Sequence, residues 1–258
     1  MAFLSSLLVA VLLAGSPVTP PPAGGAADYQ LGGAYRPAAK VDIVTRDRTE
    51  RPARGVYSIC YVNAFQTQPG TLRWWRAKHP GLLLRDGRGR LVRDAGWPDE
   101  VLLDLRTPRR QVAAAKVVRR WFAGCARKGY RAVEPDNLDS WTRSHRLLGR
   151  SHARAYARRL VKAAHAEGLA IAQKNAVELD GRQLGFDFAV AEECEVHREC
   201  RRYRRMYGRQ LIEIEYTDNG RKAFRRACRL RGGGRTSVLL RDRDVVPRGT
   251  RGYVYRTC

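Results

Sequence analysis

Tyr130-Arg131-Ala132-Val133-Glu134-Pro135-Asp136-Asn137 and Phe186-Asp187-Phe188-Ala189-Val190-Ala191-Glu192-Glu193-Cys194 decide how this chain is read. Each is a short apolar run that closes on a cluster of carboxylates. Acidic residues at strand ends, with helical patterns before and after, are what a barrel enzyme needs to hold two carboxylates over one substrate. The competing reading is a pair of unrelated surface acids. Outward from these two runs lie six more of the same kind: Tyr29–Leu31, Val41–Arg46, Ser58–Asn63, Leu169–Asn175, Leu211–Tyr216 and Val238–Arg241. Several stay apolar until a polar residue at the C-terminal end, as parallel strands covered on both faces do. Leu102-Leu103-Asp104-Leu105 is a further short run, read as an extra strand or the approach to a helix.

Two helices between the runs are well marked. Thr107 is a good N-cap, Pro108 suits the first helical position and Gly129 lies just past the end. Within that helix Val112, Val118, Phe122 and Cys125 or Ala126 are expected on one face. A second helix is expected from about Ser151 to His165, stopped before Gly168. Strand and helix alternating over short connections argue for a parallel sheet. Eight strands in a chain of 258 residues argue for α/β architecture closed as a single-domain (β/α)8 TIM barrel. The segment Ala64–Glu100, rich in Trp, Pro and Gly, is then expected as a functional loop over the barrel mouth.

Residues 3–14 are apolar but too short to span a bilayer. With the Pro/Gly/Ala-rich stretch that follows, residues 1–27 read as a secretory signal peptide and leader, and 28–258 as the barrel domain. The leader lacks Lys and Arg ahead of its apolar part, a departure from the usual pattern. The expectation is an extracellular, secreted monomer without a stable membrane anchor.

The six cysteines, Cys60, Cys125, Cys194, Cys200, Cys228 and Cys258, agree with export. Spacing leaves their connectivity open. The preferred pairs are Cys194–Cys200, a small local loop, and Cys228–Cys258, which pins the terminus. That leaves Cys60 with Cys125, the alternative being two buried free thiols. The spacings match no zinc pattern, so neither metal nor cofactor is expected.

The net charge of +24 is carried by 42 Arg and 7 Lys spread through every segment after residue 27. No bounded basic tail and no base-stacking aromatic strand accompanies it, so nucleic acid is not expected as the primary partner.

The ordered series Tyr29-Gln30-Leu31, Cys60-Tyr61-Val62-Asn63, Val133-Glu134-Pro135-Asp136-Asn137-Leu138-Asp139, Gln173-Lys174-Asn175, Glu192-Glu193-Cys194 with Glu199-Cys200, and Ile214-Glu215-Tyr216 resembles the barrel domain of glycoside hydrolase family 114. These are the endo-α-1,4-polygalactosaminidases and their relatives. The resemblance runs from about residue 28 to the C-terminus. It implies a TIM barrel, secretion and hydrolysis of an α-linked, galactosamine-containing polysaccharide by an acidic pair on two strands.

The residues support that chemistry independently. A retaining glycosidase needs a nucleophilic carboxylate and an acid/base carboxylate about 5–5.5 Å apart. Alternation puts Glu134 and Asp136 on one side of their strand, and Phe188, Val190 and Glu192 on one side of theirs. Glu193 points away unless the strand ends before it. Asp136 is therefore the candidate nucleophile and Glu192 the candidate acid/base, with Glu134 and Glu193 the alternatives within each cluster. Glu134 otherwise reads as a buried partner of Lys174 or an arginine. Asn137, Lys174, Asn175, Tyr61, Asn63, Glu215 and Tyr216 complete the expected substrate-binding or supporting set. Trp74, Trp75 and Trp97 stack on sugars or anchor the long segment.

One conflict stands in the sequence. A deacetylated galactosamine polymer is cationic and so is this protein, although screening confines repulsion to about 8–10 Å in physiological salt. A neutral, N-acetylated or anionic α-glycan is the alternative substrate, and a catalytically silent polysaccharide-binding barrel the alternative function.

Overall fold

The computed structural model describes residues 18–258, and the apolar leader segment 3–14 lies outside the described residues. The elements run β1 (Ala27–Gln30), β2 (Ile43–Asp47), β3 (Tyr57–Asn63), α1 (Leu72–Lys78), α2 (Pro108–Lys128), β4 (Ala132–Asp136) and α3 (Arg150–Ala166). There follow β5 (Ala170–Lys174), α4 (Gly181–Leu184), β6 (Phe188–Glu192), α5 (Cys200–Tyr207), β7 (Leu211–Tyr216), α6 (Lys222–Arg231), β8 (Ser237–Arg241) and β9 (Tyr255–Thr257). Strands β1 to β8 pair in sequence order, each parallel to the next, and β9 adds antiparallel to β8.

The pleat explains why the strands read as almost continuously apolar. One set of side chains, including Tyr29, Ile43, Ile59, Phe188, Val190 and Ile214, fills the barrel interior. Alanines 132, 170 and 172 stand in the same interior and make room for the large rings. The alternate set, with Cys60, Val62, Val133, Ile171 and Ala189, packs outward against Val118, Phe122, Tyr156 and Leu160 of α2 and α3. Both faces are thus desolvated, which leaves polar residues to the strand ends.

Side chains close the seam between β8 and β1. The Arg241 guanidinium is fully buried, donates to the Tyr29 carbonyl oxygen and stands 3.3 Å from the Asp28 carboxylate. Ser237 Oγ donates to the Gly25 carbonyl at 2.6 Å. The last residues of the expected leader join the same wall: Ala27 opens β1, Ala26 N donates to Asp42 Oδ2 at 2.8 Å, and the Tyr57 hydroxyl donates to the Thr19 carbonyl at 2.6 Å.

Helices α2 and α3 lie where the sequence puts them. The Thr107 hydroxyl accepts from Arg110 N at 3.3 Å, and Gly129 ends α2 at φ 95°. Ala114, Val118, Phe122 and Cys125 make the buried face, whereas Val112 is 37% exposed. Val112 lies six positions before Val118, which turns it about 120° off the stripe. Within the segment 64–100, read from sequence as a loop, α1 is followed by isolated antiparallel bridges, Leu83 to Leu103 and Arg85 to Leu91. Leu102 and Leu103 belong to that outer ladder, not to the barrel.

All three disulfides are formed as the preferred pairs: Cys60–Cys125, Cys194–Cys200 and Cys228–Cys258. The first links β3 to α2 across 65 residues, a closure whose loss of unfolded-chain entropy is of the order of 4 kcal/mol. No described helix is long and apolar enough to cross a membrane.

Candidate active site

The C-terminal strand ends open on a cavity of about 600 Å³. The chain leaves β4, β5 and β6 through left-handed residues, Asn137 at φ 66°, Asn175 at φ 48° and Glu193 at φ 58°. Asparagine tolerates that conformation because its short side chain bonds locally. These breaks stop the pleat, so consecutive residues at each strand end face the cavity: Asp136 with Asn137, Lys174 with Asn175, Glu192 with Glu193.

Lys174 is the hub. Its Nζ lies 3.1 Å from Glu134 Oε1, 3.5 Å from Asp136 Oδ1 and 3.3 Å from Glu192 Oε2, with the side chain 2% exposed. It also donates to the Tyr29 hydroxyl at 2.9 Å, and that hydroxyl donates to Glu134 Oε1 at 2.6 Å. Burial pulls the ammonium toward neutrality, but the Asp136, Glu192 and Glu134 charges outweigh it and hold its pKa well above the usual value. Lys174 therefore stays charged.

The three carboxylates differ. Burial pushes the Glu134 pKa up to about 6 against the pull of Lys174 and Tyr29, and its Oε2 has no partner among the described residues. Burial also opposes ionisation of Asp136, yet Lys174, the Tyr61 hydroxyl and the Asn137 backbone N–H hold it below the ordinary carboxylate range. Tyr61 donates to Asp136 Oδ2 at 2.6 Å. Glu192 receives the Tyr216 hydroxyl at 2.5 Å on one oxygen and Asn175 Nδ2 at 3.2 Å on the other. Burial and the adjacent carboxylates keep Tyr61 and Tyr216 far above their usual pKa, so both remain phenols that donate. Asp136 and Glu192 border the cavity, whereas Glu134 is fully buried beneath them.

Two flanking networks brace this centre. Asn137 Nδ2 donates to Asn63 Oδ1 at 3.0 Å, and Asn63 donates onward to Glu100 at 2.7 Å. Arg143 holds Asn137 Oδ1 at 3.0 Å, Asp139 at 2.9 Å and Asp94 at 2.5 Å. On the other side Arg243 pairs with Glu193 at 2.5 Å and Asp218 at 2.7 Å, and its guanidinium lies 4.1 Å over the Tyr216 ring. Tyr29, Glu100, Arg143 and Arg243 were not assigned to the site from sequence. Inward alternation on β1 points to Tyr29; the other three come from loops whose pairing no local pattern encodes.

One sequence expectation needs correction, and for Trp74 and Trp75 the anchoring alternative is the one the packing meets. Glu215 is not in the cavity: Ile214 and Tyr216 face inward, so Glu215 projects from the outer face of β7 and accepts from Glu195 N at 2.9 Å. Trp75 is buried and packs in an aromatic cluster with Trp74 and Trp121, so neither Trp74 nor Trp75 borders the cavity. Only Trp97 of the three tryptophans does. Glu215 also converges with Glu213, Cys194 and Cys200, their ligand atoms within 4.8 Å of one another, but the two sulfurs are bound to each other.

The cavity reverses the sign of the protein. Eight carboxylates line it against three cations, Arg143, Lys174 and Arg243, in a chain of net charge +24. A compact acidic mouth that holds Asp136 and Glu192 among neutral hydrogen-bonding groups suits a polyhydroxylated ligand that carries positive charge.

Among solved structures, the chain is similar to Ega3 of Aspergillus fumigatus in complex with galactosamine, at 18% identity and a TM-score of 0.73, over 96% of this chain and 100% of that one. It is also similar to the glycoside hydrolase domain of PelA from Pseudomonas aeruginosa, at 16% identity and a TM-score of 0.59, over 87% of this chain and 97% of that one. No curated protein matches it in sequence. At such identities the structural likeness speaks for the fold. The sequence pattern of glycoside-hydrolase family GH114 matches residues 11–258, nearly the full length, and with it the chain belongs to that family of glycoside hydrolases.

Proposed function

We propose that this protein is a secreted, monomeric endo-hydrolase of α-1,4-linked, galactosamine-containing polysaccharide, acting with retention through Asp136 and Glu192. The observation that carries the reading is the pair of cavity-facing carboxylates held by one buried ammonium. One ammonium 3.5 Å from Asp136 Oδ1 and 3.3 Å from Glu192 Oε2 keeps the two carboxylates close, which supports the about 5–5.5 Å of a retaining pair over the about 6.5–9.5 Å of inverting enzymes.

In the first half-reaction an Asp136 oxygen attacks the anomeric carbon, the glycosidic C–O bond breaks, and Glu192 gives its proton to the departing oxygen. In the second, Glu192 takes a proton from water, the water oxygen bonds to the anomeric carbon, and the bond to Asp136 breaks. The depressed pKa of Asp136 keeps the nucleophile ionised, while Tyr61 fixes its orientation. The excess of negative charge around the cavity favours the oxocarbenium-like transition state.

The acidic mouth also supports the substrate class. It concentrates a cationic amino-sugar chain despite the basic exterior, because screening leaves the nearest charges dominant. The galactosamine in the Ega3 complex is consistent with that choice. The three disulfides support export. Product analysis after incubation with partly deacetylated and fully acetylated α-1,4-galactosaminan tests the reading. Shortened oligosaccharides are expected, with faster cleavage of the partly deacetylated chain; no cleavage of either polymer would overturn it.

A further inference from the structure

Among the described residues Trp97 is the most exposed of the large apolar side chains, at 56%, yet it borders the same cavity as Asp136. Trp74, Trp75 and Trp121 pack on one another, whereas Trp97 stacks on no other aromatic ring among the described residues. An indole left in water at the edge of a polar cavity is unfavourable for the free protein, since its apolar area stays hydrated.

The turn that carries it is tightly held. Asp94 Oδ1 accepts from Gly96 N at 2.8 Å and Trp97 N at 3.3 Å. Glu100 N donates to the Trp97 carbonyl at 2.8 Å, and Arg93 donates to the Pro98 carbonyl at 2.6 Å. Pro98 further restricts the backbone of Trp97. The other oxygen of Asp94 takes Arg143 Nε at 2.5 Å, and Arg143 bonds Asn137 directly after Asp136. One chain of hydrogen bonds therefore fixes the rim indole relative to the nucleophile candidate.

We propose that Trp97 is the platform of an outer subsite, stacking on a sugar ring of the polymer beyond the ring that Asp136 attacks. The inference rests on the polysaccharide reading above and adds to it a residue that selects for chain length. The indole face takes the apolar C–H face of a pyranose, and an amino group on that ring gains a cation–π contact, for which tryptophan is the best side chain. Two units of the chain are then held at once, so long chains bind better than short ones.

The test uses galactosaminan dimers and hexamers with the full chain. Affinity is read by isothermal titration calorimetry, with tryptophan emission recorded alongside, in the Asp136→Asn protein, which keeps the oligosaccharides intact. The hexamer is expected to change the emission and to bind more tightly than the dimer. Adding Trp97→Ala is expected to abolish most of that change and to cut the hexamer-to-dimer affinity ratio about tenfold, and Trp97→Phe to restore part of it. An unchanged ratio in Trp97→Ala would overturn the subsite whatever the turnover. Trp97-dependent binding of a hexamer that the wild-type protein leaves uncleaved would keep the subsite and overturn the hydrolytic reading. A hexamer that binds neither protein would overturn both.

Discussion

Replacing Lys174 with methionine keeps most of the length of the side chain and removes the one charge shared by Glu134, Asp136 and Glu192. Deleting one partner of a buried ionic group costs about 3–5 kcal/mol, because the remaining charges lose their compensation. The cost depends on pH, and the sign follows from the carboxylates. In the wild-type protein Asp136 has a depressed pKa, so it contributes stability above the ordinary carboxylate value and loses it as pH falls. Without the ammonium the folded pKa values of Asp136 and Glu134 rise by about 1–3 units. A raised folded pKa gives stability that is present at low pH and lost as pH rises through the folded value. The two proteins should therefore approach one another near pH 4 and separate toward pH 7. Urea denaturation at pH 4.5 and 7.5 measures the gap, and the pH dependence of kcat/KM should show its acid limb moved upward by about 1–3 units. An equal stability loss at both pH values, with an unmoved acid limb, would refute the assignment of Lys174 as the shared counter-ion.

Other outcomes follow from the same geometry. Asp136→Asn should abolish nearly all turnover in a protein that still folds, with Tm lowered by the lost pairing to Lys174, since the amide fits but cannot attack; circular dichroism and product assays check both. Glu192→Gln should lose most activity on the polymer and regain part of it on an aryl glycoside, whose leaving group needs less protonation. Glu215, pushed up to about 8 by burial and with no partner for its Oε2 among the described residues, holds a proton in the folded state that the unfolded chain has lost; its contribution falls as pH rises from about 4.5 to 8. Glu215→Gln should therefore gain stability relative to wild type at pH 9, by up to a few kcal/mol, and little at pH 5; thermal melts at the two values decide it. Thiol titration of the denatured, unreduced protein should find no free cysteine; two free thiols would contradict the Cys60–Cys125 bridge.

The barrel was legible because parallel strands covered on both faces leave apolar runs that end in polar residues, and all eight runs correspond to strands. Helices α2 and α3 were legible from caps and breaker glycines. The Arg-rich helices α5 and α6 were not: Tyr203, Tyr207, Phe224 and Ala227 are too few apolar positions to mark a stripe among arginines. Strand β9 is three residues long and only half-buried, so it carries no alternation to read. Within the site, residues at strand ends could be named, because their position follows from the strand itself. Glu215 was misplaced because a strand-end acid has two faces to choose from, and only the pleat of β7 decides. Arg143, Arg243 and Glu100 reach the cavity through loops, where pairing across the fold sets direction. The acidic mouth inside a basic chain was hidden for the same reason, since net charge sums over the chain and says nothing of which carboxylates converge.

The most direct test of the account is the anomeric configuration of the first products, read by proton NMR within minutes of adding enzyme to partly deacetylated α-1,4-galactosaminan. The proposed retaining mechanism, with Asp136 and Glu192 drawn together by Lys174, predicts that α reducing ends appear first and later mutarotate toward the equilibrium mixture. Initial β reducing ends would contradict the nucleophilic role of Asp136 and would mean that a water attacks in its place.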